Sequence, residues 1–208
     1  MPHPKYLIVE WVNAALAPVL ELFGLHASPD HPLIPDYMVM TGLIVLAITA
    51  LAFVVRSRLS VEHPGKLQIL MEDGLSAMNG ILNEWIPGTG TRYLPLIFSI
   101  GIFILVANYA GLVPGLMAPT SNLNVTAGCA LTVWVYYHYQ GIRVQGIGAY
   151  FKHFAAPPGA PIWMAPIMLP IELISHLSRV MSLSLRLFGN IFGEELVIAI
   201  LFMIIPWL

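Results

Sequence analysis

Charge is what this chain has least of. Among 208 residues only 9 are Lys or Arg and 11 are Asp or Glu, while 58% are apolar. An ordinary soluble domain carries roughly 25% charged and 45–50% apolar residues, so a chain with 10% charged residues cannot cover a water-facing surface. Positive charge is not in excess either. The formal net charge of −2 withholds the basic field that nucleic-acid binding draws on. Cysteine is nearly absent, and Cys129 alone cannot close an internal disulfide, which excludes a disulfide scaffold. The 17 Gly and 17 Pro follow no period, so collagen-like and low-complexity chains are excluded too. What remains is an all-α, polytopic integral membrane protein, with room for about five or six spans at ~20 residues each.

Charge-free runs mark the spans. Residues 37–55 run without charge until Arg56 and Arg58 close them, and residues 93–113 are interrupted only by Ser99 and Asn108. A shorter run over residues 125–139 ends in Trp134, Tyr136, Tyr137 and Tyr139, which reads as an interfacial aromatic cluster. Residues 161–190 are apolar but carry charges, and residues 191–208 are apolar again after Glu194 and Glu195. The N-terminus lacks an uninterrupted apolar core of the signal-peptide kind, since Glu10 and Glu21 fall inside it. Residues 6–24 have the composition of a short interfacial helix.

Loop charge sets the orientation. Arg56, Arg58, Lys66 and Arg92 lie between the first two runs, and Arg143 and Lys152 follow the third; these are six of the nine cations. The N-terminal arm has Lys5 against Glu10, Glu21, Asp30 and Asp36. Positive-inside bias therefore places the N-terminus outside and residues 56–92 and 140–160 in the cytoplasm. Within that cytoplasmic stretch, Leu67, Leu70, Met71, Met78, Ile81, Leu82 and Trp85 recur at helical spacing among polar residues. This predicts an amphipathic helix over 64–85, lying along the interface or packed on the ends of other helices.

Five charges fall inside the apolar stretch near the C-terminus: Glu172, Arg179, Arg186, Glu194 and Glu195, with His176 beside them. Each costs at least ~2.5–3.5 kcal/mol at mid-helix on insertion scales, so a functional account is required. At about 100° per residue, Glu172, His176, Arg179, Arg186, Asn190 and Glu194 share one stripe about 80° wide on an unbroken helix. Such a stripe must face protein or water. An ion pair of Arg186 with Glu172 or Glu195 is the structural alternative to a functional role. Glu172 and His176 at i, i+4 resemble half of a metal site, but no third ligand is near and no metal or other cofactor is expected.

The stretch LSLRLFGNIFGEEL at residues 183–196 resembles the signature of the membrane-embedded a subunit of rotary F-type ATP synthases. IELISHLSRVMSL at 171–183, PGKLQ at 64–68 and NLNVT at 122–126 are similar to that family as well, in the expected order. The resemblance implies an interfacial amphipathic helix and a long membrane-embedded helical hairpin. It implies that Arg186 is the stator arginine, and that Asn190 and Ser182 are its polar neighbours. By the same resemblance, Glu172 matches an upstream acidic residue, Arg179 a position often basic, and Glu195 the acidic residue assigned to a proton half-channel. Glu194 matches a variable position and His176 is a relay candidate. The implied partners are the ring of c subunits, the b-subunit stalk and the remaining synthase subunits. The implied ion is H⁺ in preference to Na⁺, and the implied site is the bacterial inner membrane. An ion-coupled transporter or a structural subunit is the alternative, although no internal repeat of the transporter kind is visible.

The expected organisation is one membrane domain over 1–208. Residues 1–35 form an external arm, 36–160 hold three transmembrane helices and the amphipathic helix, and 161–208 hold the Arg-bearing helix and the start of a closing helix. The family continues past a Pro-Trp such as Pro206-Trp207 into one more helix, so a C-terminally truncated chain is expected.

Overall fold

A computed structural model of the chain describes residues 9–13, 34–113, 116–155 and 164–204. The described residues are helical, with no strand among them. They fall into two compact units, Met1–Pro119 and Thr120–Leu208. Among the described residues, three helices are long and apolar enough to cross a membrane: Asp36–Ser57, Leu94–Gly111 and Ala165–Ile204.

In the first unit, residues 9–13 are a turn of helix, α1, and the rest of the interfacial helix expected over 6–24 lies outside the described residues. Val9 of α1 is buried against Val39 and Met40 of α2 (Asp36–Ser57). Asn13 fixes the approach of the chain: its side chain donates to the Ile34 carbonyl at 3.4 Å and accepts from the Ile34 amide at 3.3 Å. Helix α2 carries Arg56 in its last turn, where the helix dipole favours a cation. The span expected at 37–55 is thus present, with an added residue or two at each end.

The amphipathic helix is also present, as α3 (Lys66–Trp85). Its apolar face is divided between packing on another helix and exposure. Gly74 lies against the Phe98 ring of α4 (Leu94–Gly111), so part of the helix packs on a span. Leu67, Leu70, Ile81 and Trp85 stay exposed, the last at 80%, an apolar ridge that water would penalise and a membrane interface would cover. Gln68 holds the preceding turn: it accepts from the Ser60 amide and donates to the Ser60 carbonyl, both at 3.1 Å.

A short 3₁₀ turn, Gly90–Arg92, leads from α3 into α4, and Thr91 donates to Asn79 at 3.0 Å across the join. Gly90 is buried so closely that a Cβ there would lie 2.6 Å from the Leu82 carbonyl oxygen, a backbone atom that cannot swing away. Gly90→Ala is therefore expected to cost about 1–3 kcal/mol through overpacking. A thermal melt of the detergent-solubilised protein checks this, and an unchanged melting temperature would show that the turn does not press on α3.

The second unit is a helical hairpin with a short helix at its bend. Asn122 starts α5 (Leu123–Gln145) by accepting from the Asn124 amide at 2.9 Å, a side-chain N-cap. Gly146, at φ 81°, ends it in a conformation that favours glycine, and the chain turns into α6 (Ile147–Ala155). Helix α7 (Ala165–Ile204), 40 residues long, then runs back antiparallel to the 23-residue α5 over part of its length. Pro170, in the second turn of α7, withholds the amide that would bond the Pro166 carbonyl, and the helix continues through it. Residues 191–204, expected as a further apolar run, extend the Arg-bearing helix without a break; Pro206 and Trp207 lie outside the described residues.

Helix α5, expected as a span over 125–139, has the length but not the apolar composition of the three spans. Its Tyr137 and His138 are turned inward on the hairpin, where they find polar partners.

Candidate functional site

Three polar contacts cross the hairpin like rungs. Near the start of α5, the Ser121 hydroxyl hydrogen-bonds the Glu195 carboxyl. One level on, the Thr126 and Ser184 hydroxyls meet at 3.3 Å, both buried. Further along, the Tyr137 hydroxyl is hydrogen-bonded to His176 Nδ1, and His176 Nε2 lies 3.2 Å from a Glu172 carboxylate oxygen. His176 is the shared member, with one ring nitrogen facing the tyrosine hydroxyl and the other facing the carboxylate, which only accepts. The sequence Tyr137–His176–Glu172 is thus a continuous hydrogen-bonded line from α5 to the flank of α7.

Aromatic groups pack around this line. His138 lies 5.1 Å from His176 and 4.3 Å from Trp134, centroid to centroid. Tyr150 of α6 reaches back to hydrogen-bond His138 Nδ1. Burial pushes the Tyr150 phenol up from its usual range, so it stays protonated. Gly141 makes this reach possible: a Cβ there would lie 2.5 Å from the Tyr150 ring. Gln140, buried, donates to the Tyr136 hydroxyl at 3.1 Å.

Helix α7 is unbroken over 172–194, so the expected polar stripe exists on one helix, but it does not act as one surface. The face of α7 packed on the hairpin is marked by His176, Ser184 and Ile191, at about +40°, +120° and +100° from Glu172. Of the stripe only His176 is buried there; Glu194, at the same angle, stays exposed. Arg179, Arg186, Asn190 and Glu194 are exposed, and Glu172 is half-buried. Ser182 is exposed as well, one turn from Arg186. Of the two adjacent carboxyls, Glu195 is the one in contact with Ser121.

No carboxylate pairs with Arg186 among the described residues, and Glu172 engages His176 and not Arg179. The ion-pair alternative therefore has no support within this unit. Arg186 instead borders an open groove of about 800 Å³ along α7, with Leu173, Leu177 and Leu185 as walls and Ser178 and Ser182 between them. The small serines lower the surface between the longer side chains, so a second helix could approach closely here.

Along the helix, Arg186 is nine residues from Glu195 and ten from His176, or about 14 and 15 Å at 1.5 Å per residue. The guanidinium thus lies between the Glu195–Ser121 contact on one side and the Ser184–Thr126 and His176–Tyr137 contacts on the other. Sequence reasoning named Arg186, Glu195, Glu172 and His176, but it missed Ser121, Thr126, Ser184, Tyr137, His138 and Tyr150. Among the described residues no cluster of three or more His, Cys, Asp or Glu could hold a metal.

Comparison with known proteins bears on the same segment. Residues 37–208 match the family model of the ATP synthase A chain. The whole chain aligns with ATP synthase subunit a 1 of Syntrophotalea carbinolica at 40% identity, covering 85% of that protein. It aligns equally over its full length with ATP synthase subunit a 3 of Pelobacter propionicus, at 42% identity and 84% coverage, and with ATP synthase subunit a of Citrifermentans bemidjiense, at 40% and 84%. A match that spans both units and includes the Arg186 segment, at this identity, leaves no other assignment: the chain belongs to the ATP synthase A chain family.

Proposed function

We propose that the chain is the ion-conducting stator of the ATP synthase membrane sector. It works beside a rotating ring of c subunits and is held by a b-subunit stalk and the remaining subunits. It catalyses no bond-making itself. The observation that carries this reading is the placement of Arg186: exposed, unpaired within its unit, on a groove, and between the polar contacts of the hairpin.

A carboxyl on a ring helix must be protonated where it faces lipid, because a bare carboxylate in hydrocarbon is prohibitively costly. Opposite Arg186 it meets a fixed positive charge that no physiological pH removes, and that charge favours ionisation. The carboxyl gives up its proton on one side of the arginine and takes one up on the other. Glu195 with Ser121 serves one half-channel, and Glu172, His176 and Tyr137 serve the other. Asn190 and Ser182 hydrate the approach to Arg186, while Arg179 and Glu194 line it. Trp134 Nε1 and Gln140 Oε1, buried without a hydrogen-bond partner among the described residues, are groups that water satisfies.

Direction follows from loop charge. The start of α5 carries none, while Arg143 and Lys152 lie at its other end. The Glu195 end thus faces outside and the His176 end the cytoplasm of a bacterial inner membrane, with the N-terminus outside. Each H⁺ crossing contributes ~2.3 kcal/mol per 100 mV, so several are combined per ATP. At about 60 Å, α7 is twice as long as the hydrocarbon core is thick, and both its ends are apolar, so it lies strongly inclined.

The test is cross-linking at the groove. With Cys129 replaced by Ala, Leu185→Cys is expected to form disulfides with a cysteine placed beside the ring carboxyl, and Ile191→Cys, buried on the hairpin face, is expected not to. Cross-linking from Ile191→Cys alone would put the ring on the wrong side of α7 and overturn the reading.

A further inference from the structure

The first unit contains a second cavity, remote in sequence from the Arg186 segment and unused by the proposed proton path. It has a volume of about 330 Å³ and lies among α2, α3 and α4. Ile48, Leu51 and Val55 form one wall, Phe98 and Ile102 the other, and Met71 of α3 stands over the cytoplasmic end. Arg56 lies at that same end. No ion pair holds its guanidinium among the described residues. The rest of the lining is apolar save Ser99, whose hydroxyl is already used in donating to the Pro95 carbonyl at 2.6 Å.

We propose that this cavity binds an anionic phospholipid of the cytoplasmic leaflet, with the phosphate on Arg56 and an acyl chain between α2 and α4. The argument rests on three features that coincide. The cavity is apolar along its length and cationic at one end, the polarity of a single amphiphile. Basic pockets between spans on the cytoplasmic side are the usual seats of anionic headgroups, and Arg56 closes α2 on the side that loop charge assigns to the cytoplasm. The volume suits a chain segment, whereas a helix of about 10 Å diameter needs a longer and wider furrow.

The fold also prepares the headgroup end. Gln68 pins the Ser60 backbone through two hydrogen bonds of 3.1 Å, fixing the turn between α2 and α3. That turn brings Leu59 and Met71 to the mouth of the cavity beside Arg56. The exposed apolar ridge of α3, with Leu67, Leu70 and Trp85, places the same mouth at the level of the lipid headgroups. The lipid would wedge the amphipathic helix against the two spans. This role is independent of the proton path and stands or falls separately from it.

The experiment extracts the full chain, with whatever subunits accompany it, into mild detergent containing equal parts phosphatidylglycerol and phosphatidylethanolamine. Native mass spectrometry then counts the retained lipid. Phosphatidylglycerol is expected to be favoured about fivefold, the factor one basic side chain contributes at an anionic surface. Arg56→Gln should erase that preference, Arg56→Lys should keep it, and Ala52→Phe should expel both lipids by filling the cavity. Arg58→Gln, outside the lining, should change little. Equal retention of the two lipids by the unaltered protein would overturn the proposal. So would an equal loss from Arg58→Gln, which would reveal only a diffuse surface field. Efficient cross-linking of Ala52→Cys to another polypeptide would also overturn it, by showing that a protein helix fills the groove.

Discussion

Replacing Arg186 by alanine is expected to abolish ATP-driven proton pumping while the membrane sector still assembles. Assembly should survive because the side chain is exposed and pairs with no carboxylate in its unit, so its loss leaves neither a cavity nor an orphaned charge. Coupling should fail for an electrostatic reason. A unit positive charge about 4 Å from a carboxylate, at an effective dielectric near 20, favours ionisation by about 4 kcal/mol. That corresponds to about three pKa units, enough to decide whether a ring carboxyl in a partly dry interface is charged. Without it, the carboxyl passes Arg186's position still protonated, and protons leak between the half-channels in either direction. Two readouts in inverted vesicles separate the outcomes: dye quenching on ATP addition should vanish, and passive proton permeability after removal of the catalytic sector should persist or rise. Normal ATP-driven quenching would reject the charge-separator role outright. Arg186→Lys should restore the signal only partly, since burial lowers the pKa of an ammonium more readily than that of a guanidinium.

The reasons this residue was legible in the sequence, and its partners were not, lie in the range of the interactions. Charge-free runs and helical periodicity are local, and they located α2, α3 and α4 to within about two residues. The angular stripe on α7 is also local, and it required only an unbroken helix. What the stripe could not tell was which part of it would be covered. Burial on α7 is centred on Ser184 and Ile191, residues that carry no charge and so fall outside the stripe. This separates His176, drawn into the hairpin, from Arg186 on the groove. The contact between Tyr137 and His176 joins residues 39 apart in sequence and depends on the register of two antiparallel helices. An aromatic cluster at a helix end reads as an interfacial belt, yet in α5 Tyr136 accepts a hydrogen bond from Gln140, and Tyr137 hydrogen-bonds and stacks on His176. Likewise Glu195 was distinguished from Glu194 by resemblance alone, and Ser121 adds a physical distinction that no spacing could supply.

Glu195→Gln is expected to slow proton flow by about two orders of magnitude, the lower range of what a positioned acid–base group contributes to proton transfer, without loosening the coupling of flow to ATP. Glutamine keeps the size of the side chain and its hydrogen bond to Ser121, so the hairpin should hold its shape. It cannot take up and release a proton, so the relay must bypass it through water. Because Arg186 is untouched, the protons that do cross still exchange with the ring one carboxyl at a time, and the ratio of protons pumped to ATP hydrolysed should remain that of the unaltered enzyme. A slower rate at a constant ratio is the signature of a resistance in series, and a fallen ratio would instead implicate Glu195 in charge separation. Ser121→Ala keeps the carboxyl and removes only one hydrogen bond to it, so its effect should be much smaller. Glu194→Gln, on a neighbouring face of α7 about 100° away, should leave the rate nearly unchanged. If Glu194→Gln slows flow and Glu195→Gln does not, the half-channel runs past Glu194 and not through the hairpin contact with Ser121.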